Sequence, residues 1–221
     1  MDVNILAQTV AIYALPVLFA ITLHEAAHGY VARYFGDMTA HAQGRISLNP
    51  IRHIDPVGTI LVPAVILFAS VLAGTHGLLF GWAKPVPVNY SALRKPRQHM
   101  ALVAAAGPLA NLAMALAWAL ALKLSTVAPE NAFSTAMEAM SGAGIIVNLV
   151  FMFLNLLPIL PLDGGRIVAS LLPSRAAWRY AKLEPWGIPL LLVLLLIPNG
   201  LSSLLRPILE ASDALIRAMM F

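Results

Sequence analysis

Long runs free of Asp, Glu, Lys and Arg constrain this chain more than any other feature. Val3 to Leu23, Pro56 to Leu79 and His99 to Leu122 contain none of the four, and Ser134 to Leu160 contains only Glu138. About 20 apolar residues in helical form cross the hydrocarbon of a bilayer. Lipid offers the backbone no hydrogen bonds, so each span must satisfy its own. The residues are 60% apolar and 11% charged, with a mean hydropathy of +0.81, whereas about a quarter are charged in soluble domains. The chain therefore reads as an integral membrane protein. Its 221 residues accommodate about five or six spans of about 20 residues with short connections. The expected fold is a mainly α polytopic bundle forming one membrane-embedded domain, 1–221. Its core is 3–182, followed by a C-terminal span and amphipathic tail at 183–221.

The net charge of +4 arises from 14 basic residues against 10 acidic ones. The basic residues sit in short groups at the ends of apolar segments, a pattern that suits membrane orientation and anionic headgroups. No nucleic-acid partner is expected. With no cysteine in the chain, a transition metal would have to be held by His and carboxylate. The N-terminal Met1-Asp2-Val3-Asn4 lacks the basic region of a cleavable signal peptide, so the first apolar segment is expected to be retained.

Where that first run ends, the chain reads His24-Glu25-Ala26-Ala27-His28. On a helix, histidines four apart stack on one face and can grip one metal ion, and the Glu beside them can reach water polarised by that metal. The composition gives roughly 0.004 chance occurrences of this pattern in a chain of this length. Ionisable residues closing a membrane-length apolar run are costly to keep there and point to function.

Along the chain, the first helix is expected from Val3 to Tyr34, loosened midway by Pro16. The polar stretch after Gly36 shows weak alternation from Thr39 to Leu48, which suggests a short strand or hairpin. His41 and His53 in this loop are read as hydrogen-bonding residues and not as ligands. Arg45 and Arg52 precede Pro56 to Leu79, and Lys84, Arg94, Lys95 and Arg97 follow it. The charge rule puts both ends on the cytoplasmic side, so the segment is expected to dip in and return; the alternative is one crossing with a basic loop outside. Gly81 to Asn89 cannot be helical through Pro85 and Pro87 and is expected to be extended, either as an edge for a peptide or as a connector. The next span carries Gly107-Pro108-Leu109-Ala110-Asn111, in which Asn111 either joins helices or serves the site. Lys123 to Asn131 belongs outside. The span from Ser134 breaks at Pro158 and Pro161, just before Asp163-Gly164-Gly165. Arg166, Arg175, Arg179 and Lys182 then mark the cytoplasmic side. Trp186 to Leu209 is one kinked span or two pieces broken at Pro198-Asn199-Gly200, and the tail is expected to be an interfacial amphipathic helix.

A catalytic zinc takes three protein ligands and keeps one position open. His24 and His28 supply two. Among the carboxylates, Asp55 and Asp163 lie at the mouth of apolar segments on the same side, and only Asp163 is framed by prolines and glycines that distort the backbone. Asp163 is therefore the expected third ligand, ahead of Asp55. Glu25 is the expected general base in peptide-bond hydrolysis. Asn155 and Asn111 are the candidate donors to the oxyanion.

His24-Glu-Ala-Ala-His28, Gly107-Pro-Leu-Ala-Asn111 and Asn155-Leu-Leu-Pro-Ile-Leu-Pro-Leu-Asp163-Gly-Gly together resemble the site-2 protease family of intramembrane zinc metalloproteases. The resemblance covers roughly Leu15 to Arg166. It implies one zinc bound by His24, His28 and Asp163, with Glu25 as base and Asn155 near the substrate. It also implies cleavage within or near transmembrane segments of other membrane proteins. No PDZ-like or CBS-like domain fits, so substrate selection would come from the core, its loops or a regulatory membrane partner. The flanks His53-Ile-Asp-Pro56 and Gly81-Trp-Ala-Lys-Pro85 resemble a compact prokaryotic branch, which implies a prokaryotic cell membrane with the active site towards the cytoplasm. A metal transporter or metal-binding membrane protein is the rival reading, although its ionisable residues would be expected along the spans and not at one depth. Substrate identity and oligomeric state are not encoded in these motifs.

Overall fold

In the computed structural model of the protein, residues 3–62, 64–65, 68, 81–197 and 200–220 are described. Helix α1 runs Val3–Tyr34 and contains Pro16. After the turn at Gly36, a single helical turn, α2 (Thr39–Ala42), stands where a strand or hairpin was expected. Asp37 explains the difference: its carboxylate accepts from Thr39 N at 2.9 Å and starts a helical turn before the alternation can pair with anything. There is no strand among the described residues.

Helix α3 (Pro96–Val127) opens on a proline at its first turn, where the missing N–H costs nothing. A short turn leads to α4 (Ala132–Leu156), which is capped at both atoms of a box: Asn131 Oδ1 accepts from Ser134 N, and Ser134 Oγ accepts from Asn131 N. The capping box fixes where the returning helix begins. The chain then breaks through 157–162, restarts as α5 (Asp163–Leu171) and α6 (Ser174–Ala181), and ends as α7 (Glu184–Leu196) and α8 (Gly200–Met220).

Three of these helices are long and apolar enough to cross a membrane: α1 from Ala7, α3 and α4, with 28, 32 and 25 residues. Helix α7 is apolar but only 13 residues long, and α8 carries Arg206, Glu210, Asp213 and Arg217 in two i,i+4 ion pairs. Part of its apolar face packs on the bundle. Ile216 packs into the cluster of Ala115, Ala119 and Leu122 from α3 with Ile145, Leu149 and Met152 from α4.

Small residues set the helix spacing, as in packed membrane-length helices generally. Gly144 on α4 faces Trp118 on α3; a Cβ there would lie 2.4 Å from the indole. Ala20, Ala115 and Ala119 have no exposed surface.

The path of the apolar segment 56–79 lies for the most part outside the described residues, but its two ends are described and lie side by side. Trp82 N donates to Gly58 O at 3.1 Å, Thr59 Oγ1 to Trp82 O at 2.8 Å, and Lys84 N to His53 O at 2.9 Å. The stretch 81–89 then runs extended, as its prolines demand, and is pinned by side chains of α1 and of the segment that follows it. Arg45 Nη2 donates to the carbonyls of Lys84 and Pro85, and Asp37 accepts from Asn89 N at 2.6 Å.

Candidate metal centre

The four-residue spacing on α1 places the rings of His24 and His28 on one face, with Nε2 atoms 3.1 Å apart. Asp163, the first residue of α5, brings Oδ2 to 3.2 Å from His24 Nε2 and 3.3 Å from His28 Nε2. All three residues are buried. Asp163 reaches this point because the chain doubles back tightly: a Cβ on Gly164 would meet Leu156 O at 2.2 Å, and one on Gly165 would meet Leu160 N at 2.5 Å. Only glycine admits that approach.

The far sides of the imidazoles fix their tautomers. Asn148 Nδ2 donates to Gly144 O at 2.8 Å, and its Oδ1 accepts from Asn111 Nδ2 at 3.1 Å. Asn111 Nδ2 also donates to Ala20 O at 3.2 Å, so Asn111 Oδ1 must face His24 Nδ1, at 2.6 Å, as an acceptor. His28 Nδ1 lies 2.7 Å from Val103 O, which can only accept. Both histidines therefore carry their proton on Nδ1, and both Nε2 atoms present lone pairs to the centre. Asp163 Oδ2 is buried with no hydrogen-bond partner among the described residues.

Three lone-pair donors thus face one another at 3.1 to 3.3 Å without a proton between them, which is repulsive unless a cation sits among them. In a tetrahedral zinc site with bonds of roughly 2.0–2.1 Å, neighbouring ligand atoms lie about 3.3 Å apart. The residues fit zinc in donor type, number and spacing. The histidine–amide and histidine–carbonyl contacts are the outer partners that orient such ligands.

Glu25 is half-buried beside the pair, and its Oε2 accepts from Val86 N at 2.7 Å, so the extended 81–89 stretch holds the carboxylate in place. Asn155 is half-buried and donates to Phe151 O at 3.0 Å, one turn back on α4; no hydrogen bond ties it to the cluster among the described residues. Asp55 lies elsewhere. It caps the turn at Pro56–Leu61 by accepting from Val57 N and Gly58 N. His53 is buried with Nε2 2.8 Å from Ser47 O, and His41 is exposed.

Val103, Gly107 and Asn111 recur every fourth residue on α3 and line the side that meets the histidines. A Cβ on Gly107 would lie 2.5 Å from His24 Cε1 and His28 Nε2, so this glycine leaves room for the centre itself. The sequence does not mark Gly107, Val103 or Val86 as part of the site, because Gly107 acts by lacking a side chain and the other two contribute backbone atoms. The period of four running to Asn111 was the available signal.

A helical membrane protein with a buried His, His and Asp cluster beside a carboxylate has the arrangement of a membrane-embedded metallohydrolase. The sequence profile of peptidase family M50 matches residues 124–198. The chain is 42% identical over 197 residues to YwhC of Bacillus subtilis (strain 168), covering 88% of this chain and 84% of YwhC. It is 30% identical over 186 residues to Rip2 of Mycobacterium tuberculosis (strain ATCC 25618 / H37Rv) and 26% over 181 residues to Rip2 of Mycolicibacterium smegmatis (strain ATCC 700084 / mc(2)155). In both cases the match covers 82% of this chain and 65% of Rip2. YwhC and the Rip2 proteins bear zinc metalloprotease in their names. No solved structure matches the chain significantly. The chain belongs to peptidase family M50, the site-2 protease type, and is a metalloprotease.

Proposed function

We propose that this protein is an intramembrane zinc metalloprotease, hydrolysing peptide bonds within or near transmembrane segments of other membrane proteins. One zinc per chain would be held by His24, His28 and Asp163. The observation that carries this reading is the convergence of two imidazole nitrogens and one carboxylate oxygen at 3.1 to 3.3 Å inside a bundle of membrane-length helices. Zinc supplies Lewis acidity, which makes water a nucleophile near neutral pH and polarises a carbonyl.

The chain's own residues do the rest. Asn111 and Val103 O hold the two imidazoles in the tautomer that can ligate. Glu25, oriented by Val86 N–H on Oε2, takes a proton from the attacking water and delivers it to the leaving amine. Both amide hydrogens of Asn111 are committed, to Ala20 O and Asn148 Oδ1, so we assign Asn111 to positioning His24. Asn155, whose amide nitrogen makes a single bond, to Phe151 O, is the better candidate donor to the oxyanion. Arg166, Arg175, Arg179 and Lys182 follow Asp163 closely, and the charge rule puts this end of the bundle on the cytoplasmic side of a cell membrane.

The test is the zinc content of purified Asp163→Ala and Asp55→Ala, each beside cleavage of a reconstituted transmembrane substrate. Asp163→Ala should lose both zinc and cleavage, and Asp55→Ala should keep its zinc. Loss of zinc in Asp55→Ala alone would overturn the ligand assignment.

A further inference from the structure

Glu25 is oriented by one backbone N–H, and that N–H belongs to a peptide unit whose other end is also held. Val86 is buried against the face of α1 that carries Glu25 and, one turn on, Gly29; a Cβ on Gly29 would lie 3.3 Å from Val86 Cγ1. Pro85 and Pro87 have no N–H. Val86 therefore offers the one backbone donor of 85–87, and Glu25 Oε2 takes it at 2.7 Å. The Pro85–Val86 peptide is planar and trans, so Pro85 C=O and Val86 N–H point in opposite directions and turn together. Whatever holds Pro85 O also aims Val86 N–H.

Arg45 holds it. Its Nη2 donates to Pro85 O at 3.2 Å and to Lys84 O at 2.9 Å. A guanidinium makes a charge-assisted bond to a carbonyl, and no ion pair among the described residues draws Arg45 to a carboxylate. Its Nε is buried without a partner among those residues, so Nη2 carries the contact. Arg45 is itself anchored: Gly44 turns the chain at a φ of 61°, and Arg45 N donates to Ala40 O at 2.8 Å. Hydrogen bonds at the two ends of one peptide polarise each other, so the cation on Pro85 O also strengthens Val86 N–H as a donor.

We propose that Arg45 is a positioning residue for catalysis: through the Pro85–Val86 peptide it sets the direction in which Glu25 meets the attacking water. This role rests on Glu25 being the general base, as proposed above. Without Arg45 the peptide is free to rotate, Val86 N–H leaves Oε2, and the carboxylate takes up other rotamers. Metal ligation does not use these contacts, because the outer partners of His24 and His28 come from α3.

The experiment compares Arg45→Met, Arg45→Lys, Arg94→Met and Glu25→Gln on a reconstituted transmembrane substrate, with kcat and KM separated, zinc counted, and hydrogen exchange followed at Val86. Arg94 is the matched control, since it too donates to two carbonyls, Tyr34 O and Phe35 O, but neither belongs to 81–89. Arg45→Met should keep about one zinc per chain and a KM within about twofold of the wild type, while kcat falls about 10–100-fold, the loss expected of a misaligned base. Exchange at Val86 should speed up about tenfold, the order of one hydrogen bond lost. Arg45→Lys, which keeps a cation for the carbonyls, should recover most of kcat, and Arg94→Met should match the wild type in every reading. Wild-type kcat or unchanged Val86 exchange in Arg45→Met, loss of its zinc, a change confined to KM, no recovery in Arg45→Lys, or an equal loss in Arg94→Met would each overturn the proposal. Those results leave the base assignment standing while Glu25→Gln is inactive; wild-type cleavage by Glu25→Gln would remove the base assignment and the role of Arg45 with it.

Discussion

At the scale of single residues, the centre depends on protons that are placed away from it. Asn111 has three tasks at once: it accepts from His24 Nδ1 and donates to Ala20 O and to Asn148 Oδ1. Because Asn148 in turn ends on a backbone carbonyl, the whole relay has one orientation, and His24 Nε2 must be an acceptor. Removing an outer partner of this kind typically costs about 10–100-fold in metal affinity. Asn111→Ala is expected to weaken zinc binding by that order while leaving the helices assembled, measured by competition with a zinc chelator; unchanged affinity would count against the positioning role. This relay was not legible beforehand. The i,i+4 histidines and the backbone-distorting frame around Asp163 could be read directly, because both are local. Which face of α3 turns towards α1 depends on packing, so the sequence left Asn111 between joining helices and serving the site; in the structure it bonds Ala20 and Asn148 on neighbouring helices as well as His24.

At the scale of elements, the extended stretch 81–89 is held by one side chain from α1 and one from the turn that follows it. Glu25 takes Val86 N, and Asp37, fully buried, takes Asn89 N. Its extended form followed from Pro85 and Pro87, but its place across the motif did not, since backbone amides leave no mark in a sequence. Burial alone would raise the Asp37 carboxyl, yet the hydrogen bonds from Thr39 and from Asn89 N–H outweigh it and hold it below its ordinary value. A depressed folded-state value stabilises the charged form, so the contribution is complete above the ordinary carboxylate range and is lost as pH falls through the folded value. Protease cleavage within 81–89 should therefore speed up as pH falls below that range in the wild type. Asp37→Ala should show the faster cleavage already at neutral pH and a smaller acid-dependent increase than the wild type. An unchanged acid response in that variant would place the sensitive group elsewhere.

At the scale of the whole molecule, three membrane-length helices and the re-entry of α5 bring residues 139 positions apart into one site, from His24 to Asp163. Hydropathy predicted the helical bundle and the extent of its first helix; among the described residues three helices are membrane-length, α7 is shorter, and α8 packs Ile216 against α3 and α4. Since the ligands come from separate helices, zinc should stabilise the fold by linkage, about 2.7 kcal/mol with free metal at roughly 100 times Kd. Chelation is expected to lower the wild-type Tm by several degrees and to leave Asp163→Ala, already without its third ligand, unchanged. Equal shifts in both would mean that the metal binds elsewhere.

The central claim is that Glu25 moves the proton at a zinc site built by its neighbours, and Glu25→Gln tests it most directly. The exchange keeps size and the acceptor for Val86 N–H while removing the base. With a reconstituted transmembrane substrate, zinc should remain at about one per chain while cleavage falls by about 10²–10⁴-fold, the usual contribution of a positioned base. Cleavage at the wild-type rate with zinc still bound would contradict the account.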